Sequence, residues 1–129
     1  MSSQTPDFAK RGGLLPVVVQ DYVSREVLLV ASMNEVAWEQ TLSTRRATFW
    51  STSRNELWVK GQTSGDFLVV REVRLDCDLD AILLLVIAAG EGACHTKNSA
   101  GVARPSCFFH QASVSVDPGT PLEWSNLDP

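Results

Sequence analysis

Asp76, Asp78 and Asp80 alternate with Cys77 and Leu79 in a five-residue run whose carboxylates could hold a cation. Two β-rich stretches, residues 67–75 and 81–87, flank the run, so an extended backbone is predicted. In a strand, successive side chains point to opposite faces, which places the three carboxylates on one face about 6.6 Å apart and turns Cys77 and Leu79 the other way. Three like charges repel unless a cation sits among them, and oxygen-only donors suit a hard ion such as Mg²⁺. A solvated acidic turn is the alternative for the same residues. The embedded thiol is joined by Cys94 and Cys107, at spacings too long for the paired CxxC of a zinc ribbon. Catalytic zinc commonly keeps three protein ligands and an open position for water, which three thiolates without an obvious fourth ligand would match. Small buried hydrophobes are the other reading of these cysteines. His95, next to Cys94, could pass protons at neutral pH, act as a fourth ligand or be an ordinary loop histidine. His110 lacks such neighbours and reads as a surface residue.

A second group occupies residues 48–65, TFWSTSRNELWVKGQTSG. Ser51, Ser53, Thr63 and Ser64 supply hydroxyls, Arg54 and Lys60 supply positive charge, and Gly61 and Gly65 let the backbone approach a ligand. Trp50 and Trp58 could stack on a base. A phosphate- and base-binding surface needs these residue types, and an ordinary hairpin can also contain them.

Positioning these groups falls to one β-rich domain, since 129 residues suffice for a single core. The pattern predicts an α+β fold of mainly antiparallel strands with one short helix. Strands are expected at residues 14–20 and 26–33, joined by a turn, with a proline near the start of the first where a missing donor is tolerated. Asn34 caps a helix over residues 34–43 that covers one face of the sheet. Residues 47–53, 57–61 and 67–75 follow as strands, and the apolar residues 81–87 form the centre of the core. Residues 90–105 read as a loop and residues 107–109 as a short closing segment. We divide the chain into a mobile N-terminal arm (1–13), the domain proper (14–110) and a C-terminal tail (111–129) that is weakly ordered or draped on the surface. With a net charge of −4 and a pI near 5.0 there is no basic footprint for nucleic acid, so an anionic ligand would need a local cluster or a metal. The longest apolar run is too short to span a bilayer and no signal peptide is visible, which makes a cytoplasmic, reducing location the expectation.

Taken in series, the motifs at residues 14–21 (LLPVVVQD), 33–35 (MNE), 48–54 (TFWSTSR), 57–65 (LWVKGQTSG), 76–81 (DCDLDA), 94–96 (CHT) and 106–109 (SCFF) resemble phosphoribosyl-AMP cyclohydrolase of histidine biosynthesis. The resemblance implies an interlocked homodimer, with zinc held by Cys77, Cys94 and Cys107 drawn from both subunits and magnesium held by Asp76, Asp78 and Asp80. It also implies a small-molecule substrate, N1-(5-phosphoribosyl)-AMP, whose alkylated purine is attacked at C6 by zinc-activated water. His95 would shuttle protons, while Trp50, Ser51, Ser53, Arg54, Trp58, Lys60, Thr63 and Ser64 would bind substrate. The chain departs from the family pattern at residues 97–105, where the loop between the last two cysteines is expanded. It also ends before the phosphoribosyl-ATP pyrophosphatase domain that some relatives carry fused behind this one. From another class, the rival is a non-catalytic, zinc-stabilised dimeric module that binds nucleotide without turnover.

Overall fold

Leu15, Val17 and Val19 all point to one face of the first strand, and a four-stranded sheet is organised around that alternation. The computed structural model describes residues 4–129. Its strands are β1 (Leu15–Asp21), β2 (Val27–Met33), β3 (Thr48–Ser51), β4 (Glu56–Val59), β5 (Leu68–Leu75), β6 (Ile82–Ala88), β7 (His110–Gln111) and β8 (Ser125–Asn126), with a single α-helix, α1 (Glu35–Thr44). A 3₁₀ turn, Phe8–Arg11, precedes β1. The sheet runs β2-β1-β6-β5, while β3–β4 and β7–β8 form separate antiparallel pairs.

The expected β-rich, mainly antiparallel architecture with one short α-helix is present. The sequence reading did not include the parallel pairing of β1 with β6, whose register aligns Val17 with Ile82 and Gln20 with Leu85. β6 therefore lies between β1 and β5, and Ile82, Leu84, Leu85 and Val86 are all buried, which is why this strand is almost wholly apolar. Pro16 precedes the first residue of the parallel ladder, so its missing N–H costs no bond to β6.

Helix α1 starts where Asn34 accepts the Ala37 N–H at 2.9 Å and ends at Arg45, whose φ of 63° marks a left-handed cap. It docks through Thr41, whose hydroxyl oxygen lies 2.8 Å from Ala37 O and accepts the Thr48 N–H at 3.0 Å. One buried hydroxyl thereby ties the helix to the start of β3. Directly opposite one another on the β3–β4 hairpin, Phe49 and Trp58 hold their rings 5.4 Å apart, with Phe49 fully buried and Trp58 partly open to solvent.

Two local expectations change. Residues 76–81 are a reversal and not a strand, because β5 and β6 are antiparallel and pair Leu75 with Ile82, so the chain must turn between them. Asp76 Oδ1 accepts the N–H groups of Asp80 (2.9 Å) and Ala81 (3.1 Å), and Leu79 takes φ 64° to close the turn. The N-terminal arm was expected to be mobile over residues 1–13. Residues 1–3 lie outside the described part; beyond them, Asp7 N–H donates to Leu79 O at 2.7 Å and Phe8 is buried, which fastens the arm to that same turn. In the tail, β8 pairs with β7, and Ser99 N–H donates to Pro129 O at 2.7 Å.

Candidate active site and metal-binding residues

The turn between β5 and β6 gathers the three aspartates more tightly than a strand could, with a carboxylate oxygen from each lying within 4.8 Å of the others. A hard divalent ion bound at ~2.1 Å spans about 4.2 Å between opposite ligands, so small side-chain rotations would close this set around one. Two cations of the arm occupy the cluster: Lys10 Nζ lies 2.9 Å from Asp78 Oδ2 and 3.6 Å from Asp80 Oδ2, and Arg11 Nε donates to Asp80 Oδ2 at 2.9 Å. The Lys10 ammonium holds the Asp78 carboxyl well below the usual carboxylate range, and Asp78 in return raises Lys10. Asp80 is buried and Asp78 exposed, so the cluster faces solvent from one side. Lys10 and Arg11 were read as part of a mobile arm, and their adjacency to a Gly-Gly pair was the available sign of a placed basic turn.

Cys94 and Cys107 meet at the other end of β6. Residues 92–105 form an irregular hairpin in which Cys94 N–H donates to Arg104 O (3.0 Å) and Arg104 N–H to Thr96 O (3.1 Å). Asn98 N–H donates to Val102 O at 2.9 Å nearer the tip. The two arms pass so closely that a Cβ on Gly92 would lie 2.4 Å from Arg104 O. Cys94 sits at the base of this hairpin and Cys107 just beyond it. Cys107 N–H donates to Leu28 O at 2.7 Å and Ser106 Oγ to Val27 O at 2.7 Å, docking the base onto the start of β2. The two thiols stand near enough for each to act on the other's ionisation. Burial, and then the neighbouring Cys94, pushes the Cys107 thiol up to about 11. Burial also acts against ionisation of Cys94, but the Thr96 hydroxyl and N–H, Cys107 and the Arg104 charge outweigh it and hold this thiol below its ordinary value.

Cys77 is exposed and belongs to the acidic turn. β6 separates it from Cys94, and the strand alone is about 20 Å long at ~3.3 Å per residue. Among the described residues, the aspartate triplet is the one group of three potential ligands that converges, so a single chain does not bring the three cysteines together.

Beside the Cys94–Cys107 pair lies a cleft of about 380 Å³ whose walls include Arg54, Trp58, Lys60, Thr63, Ser64 and His95. Six of the residues singled out in the sequence thus share one cavity, in the size range of small-molecule sites. Lys60 lines the cleft while only 5 % exposed, and its charge acts on the Cys107 thiol. Gly61 makes the bend that follows: its φ is 88°, and a Cβ there would lie 2.3 Å from the Asp66 backbone. Trp50, Ser51 and Ser53 do not line this cleft. Ser51 instead shapes the β3–β4 turn, accepting the Arg54 N–H at 3.2 Å and lying 3.3 Å from Ser53 Oγ. His110 is exposed and stacks on Phe109, away from the cleft. A larger cavity of about 550 Å³ near the arm is lined by Asp7, Glu35 and Glu39, a charge pattern that repels phosphate. Arg104 and Thr96, which contact Cys94 or each other, were not singled out, although an isolated arginine between two cysteines is a visible cue.

The family model described as Phosphoribosyl-AMP cyclohydrolase matches residues 29–109, which include most of β2, all of β3 to β6 and all three cysteines. Among similar proteins, the Phosphoribosyl-AMP cyclohydrolase of Desulfotalea psychrophila is 48% identical over 113 residues, covering 85% of this chain and 84% of the relative. That of Desulfatibacillum aliphaticivorans is 57% identical over 102 residues, covering 79% and 77%. That of Solibacter usitatus is 47% identical over 122 residues, covering 95% and 86%. With identities this high over most of both chains, and with the matched segment spanning the cleft, the paired thiols and the acidic turn, the chain belongs to the phosphoribosyl-AMP cyclohydrolase family.

Proposed function

We propose that this chain hydrolyses N1-(5-phosphoribosyl)-AMP in histidine biosynthesis, opening the purine between N1 and C6, and that it does so as a homodimer using zinc and magnesium. The observation that carries the reading is the cleft in which Arg54, Trp58, Lys60, Thr63, Ser64 and His95 converge beside Cys94 and Cys107. Two adjacent thiols suit zinc by donor softness but fall one short of the three ligands of a catalytic site. Cys77 of the partner subunit would supply the third, and because that residue belongs to the acidic turn, the partner's aspartates would arrive with it.

When bound, zinc would lower the pKa of a water toward neutrality. In the cleft, the Trp58 ring offers a stacking face to the purine, and Arg54 and Lys60 offer charge to phosphate or ribose oxygens. Thr63 and Ser64 add hydroxyl donors. As the water oxygen adds to the electron-poor C6, His95 accepts its proton, and it returns a proton to N1 as the N1–C6 bond breaks. Magnesium at Asp76, Asp78 and Asp80 would supply further positive charge to the substrate's anionic groups. The reading carries a cytoplasmic location; among the described residues no helix is long and apolar enough to cross a membrane.

Incubating the purified, zinc-loaded protein with phosphoribosyl-AMP and following loss of the intact purine chromophore tests the activity. Turnover is expected, and His95→Ala should lower kcat by about a hundredfold or more. Tight binding of the substrate with no ring opening would instead select the non-catalytic nucleotide-binding module.

The ion pairs at the acidic turn imply competition, because a divalent cation must displace Lys10 and Arg11 from the oxygens they hold. Exposed pairs of this kind contribute little, so Lys10→Ala is expected to tighten Mg²⁺ binding only about three- to fivefold at low ionic strength. Titration calorimetry should show the gain shrinking as salt is raised. Unchanged or weaker binding would mean that Lys10 and the cation do not compete.

A further inference from the structure

The tail beyond Phe109 lies outside the family match, yet it closes on the loop that carries Cys94. Besides the Ser99–Pro129 bond, Asn98 Nδ2 donates to Asp128 Oδ1 at 3.0 Å and Leu127 N–H to Phe109 O at 2.8 Å. The tail and the cysteine meet through Arg104. Its Nε donates to Asp128 O at 2.8 Å, its Nη1 donates to Thr96 Oγ1 at 3.0 Å, and its guanidinium carbon stands 4.2 Å from the centre of the Phe109 ring. Thr96 Oγ1 lies 2.9 Å from Cys94 Sγ, and the Thr96 N–H donates to the same sulfur at 3.4 Å. A hydroxyl has one proton and two lone pairs. With Arg104 on one lone pair, the Thr96 proton is directed toward sulfur, so two donors from one residue converge on Cys94.

We propose that Arg104, held by the C-terminal tail, is a positioning residue for Cys94: by fixing the Thr96 hydroxyl, it locks the sulfur in the orientation from which it binds zinc. The proposal rests on the zinc reading above. Partners of this kind orient metal ligands and commonly change metal affinity by about 10- to 100-fold. The planar fork of arginine is required, because Nε and Nη1 act in two directions at once and a lysine ammonium on a flexible stem does not reproduce that geometry.

Zinc affinity of the full-length protein, measured by competition with a chromophoric chelator, tests this directly. Arg104→Met and Thr96→Val should each weaken zinc by about 10- to 100-fold, while Thr96→Ser, which keeps the hydroxyl, should stay near wild type. Arg104→Lys should bind zinc weakly although its metal-free form melts at the wild-type temperature, which separates positioning from folding. The double variant Arg104→Met/Thr96→Val should be no weaker than the worse single variant, because one relay passes through both residues. In the cobalt-substituted protein, Thr96→Val should shift the thiolate-to-metal charge-transfer band and Thr96→Ser should not. Deleting residues 127–129 should weaken zinc when Arg104 is present and have no further effect in Arg104→Met. Wild-type zinc affinity in Arg104→Met, additive losses in the double variant, or a deletion that acts equally with and without Arg104 would each overturn the proposal. If Cys94→Ser keeps wild-type zinc, the zinc reading itself fails, whatever Arg104 does.

Discussion

Chains carrying Cys77→Ser and chains carrying Cys107→Ser, each inactive alone, are expected to recover up to about a quarter of wild-type activity when unfolded together and refolded. The expectation follows from the position of Cys77 beyond one end of β6 and of Cys94 and Cys107 beyond the other. If a zinc site takes Cys94 and Cys107 from one subunit and Cys77 from the partner subunit, a mixed dimer contains one site with both defects and one with none. Random pairing makes half the dimers mixed and half of their sites whole, which sets the ceiling of about a quarter. Each single variant should lose zinc and activity together, by about a thousandfold or more, since the metal's contribution is several kcal/mol and each 1.36 kcal/mol is tenfold in rate. Zinc content by elemental analysis should follow the recovered activity. No recovery in a preparation shown to contain heterodimers would mean that each site is built within one chain.

Asp78→Asn is expected to lower activity by about a hundredfold and to blunt its magnesium dependence, with zinc content at the wild-type level. Of the three aspartates, Asp78 isolates cation binding best. Asp76 Oδ1 holds the turn through two backbone N–H groups, so replacing Asp76 would loosen the turn as well as the ligand set. Asp80 is buried beneath Arg11, and its replacement would leave that cation without its partner. Asp78 is exposed and its carboxylate pairs with Lys10, so the neutral amide removes one charge from the cluster and leaves the backbone of the turn in place. Magnesium titrations of the two proteins at fixed zinc make the comparison. A variant that titrates with magnesium as the wild type does would remove the triplet from the reaction.

The same turn shows where reading along the chain stops. Alternating aspartates between two strand-forming stretches were consistent with an extended run, but antiparallel pairing of β5 and β6 demands a reversal. Aspartate is well suited to make one, because its carboxylate can accept backbone N–H groups a few residues ahead. The reversal brings the three oxygens closer together than the 6.6 Å spacing of a strand face, so the geometry that makes a cation site plausible arises from the turn. For the substrate cleft, the residue types were legible and the division among them was not. Arg54, Trp58, Lys60, Thr63, Ser64 and His95 share a cavity, whereas Ser51 and Ser53 serve the hairpin turn, a distinction set by where β3 ends and the chain bends.

What the sequence determined by itself are the quantities carried by local pattern and residue chemistry. The strand-forming run of β1, the wholly apolar β6, the Asn34 cap of α1, and the set of thiols, carboxylates and cations from which any site must be assembled all follow from residue type and spacing. Tertiary structure alone decided the arrangement between distant segments. It paired β1 with β6 in parallel, put Cys77 at one end of that strand and the Cys94–Cys107 pair at the other, laid Lys10 and Arg11 over the aspartates, and brought Asp128 to Arg104. These contacts join residues tens of positions apart, and they form because burying β6 between β1 and β5 fixes where both of its connecting loops emerge.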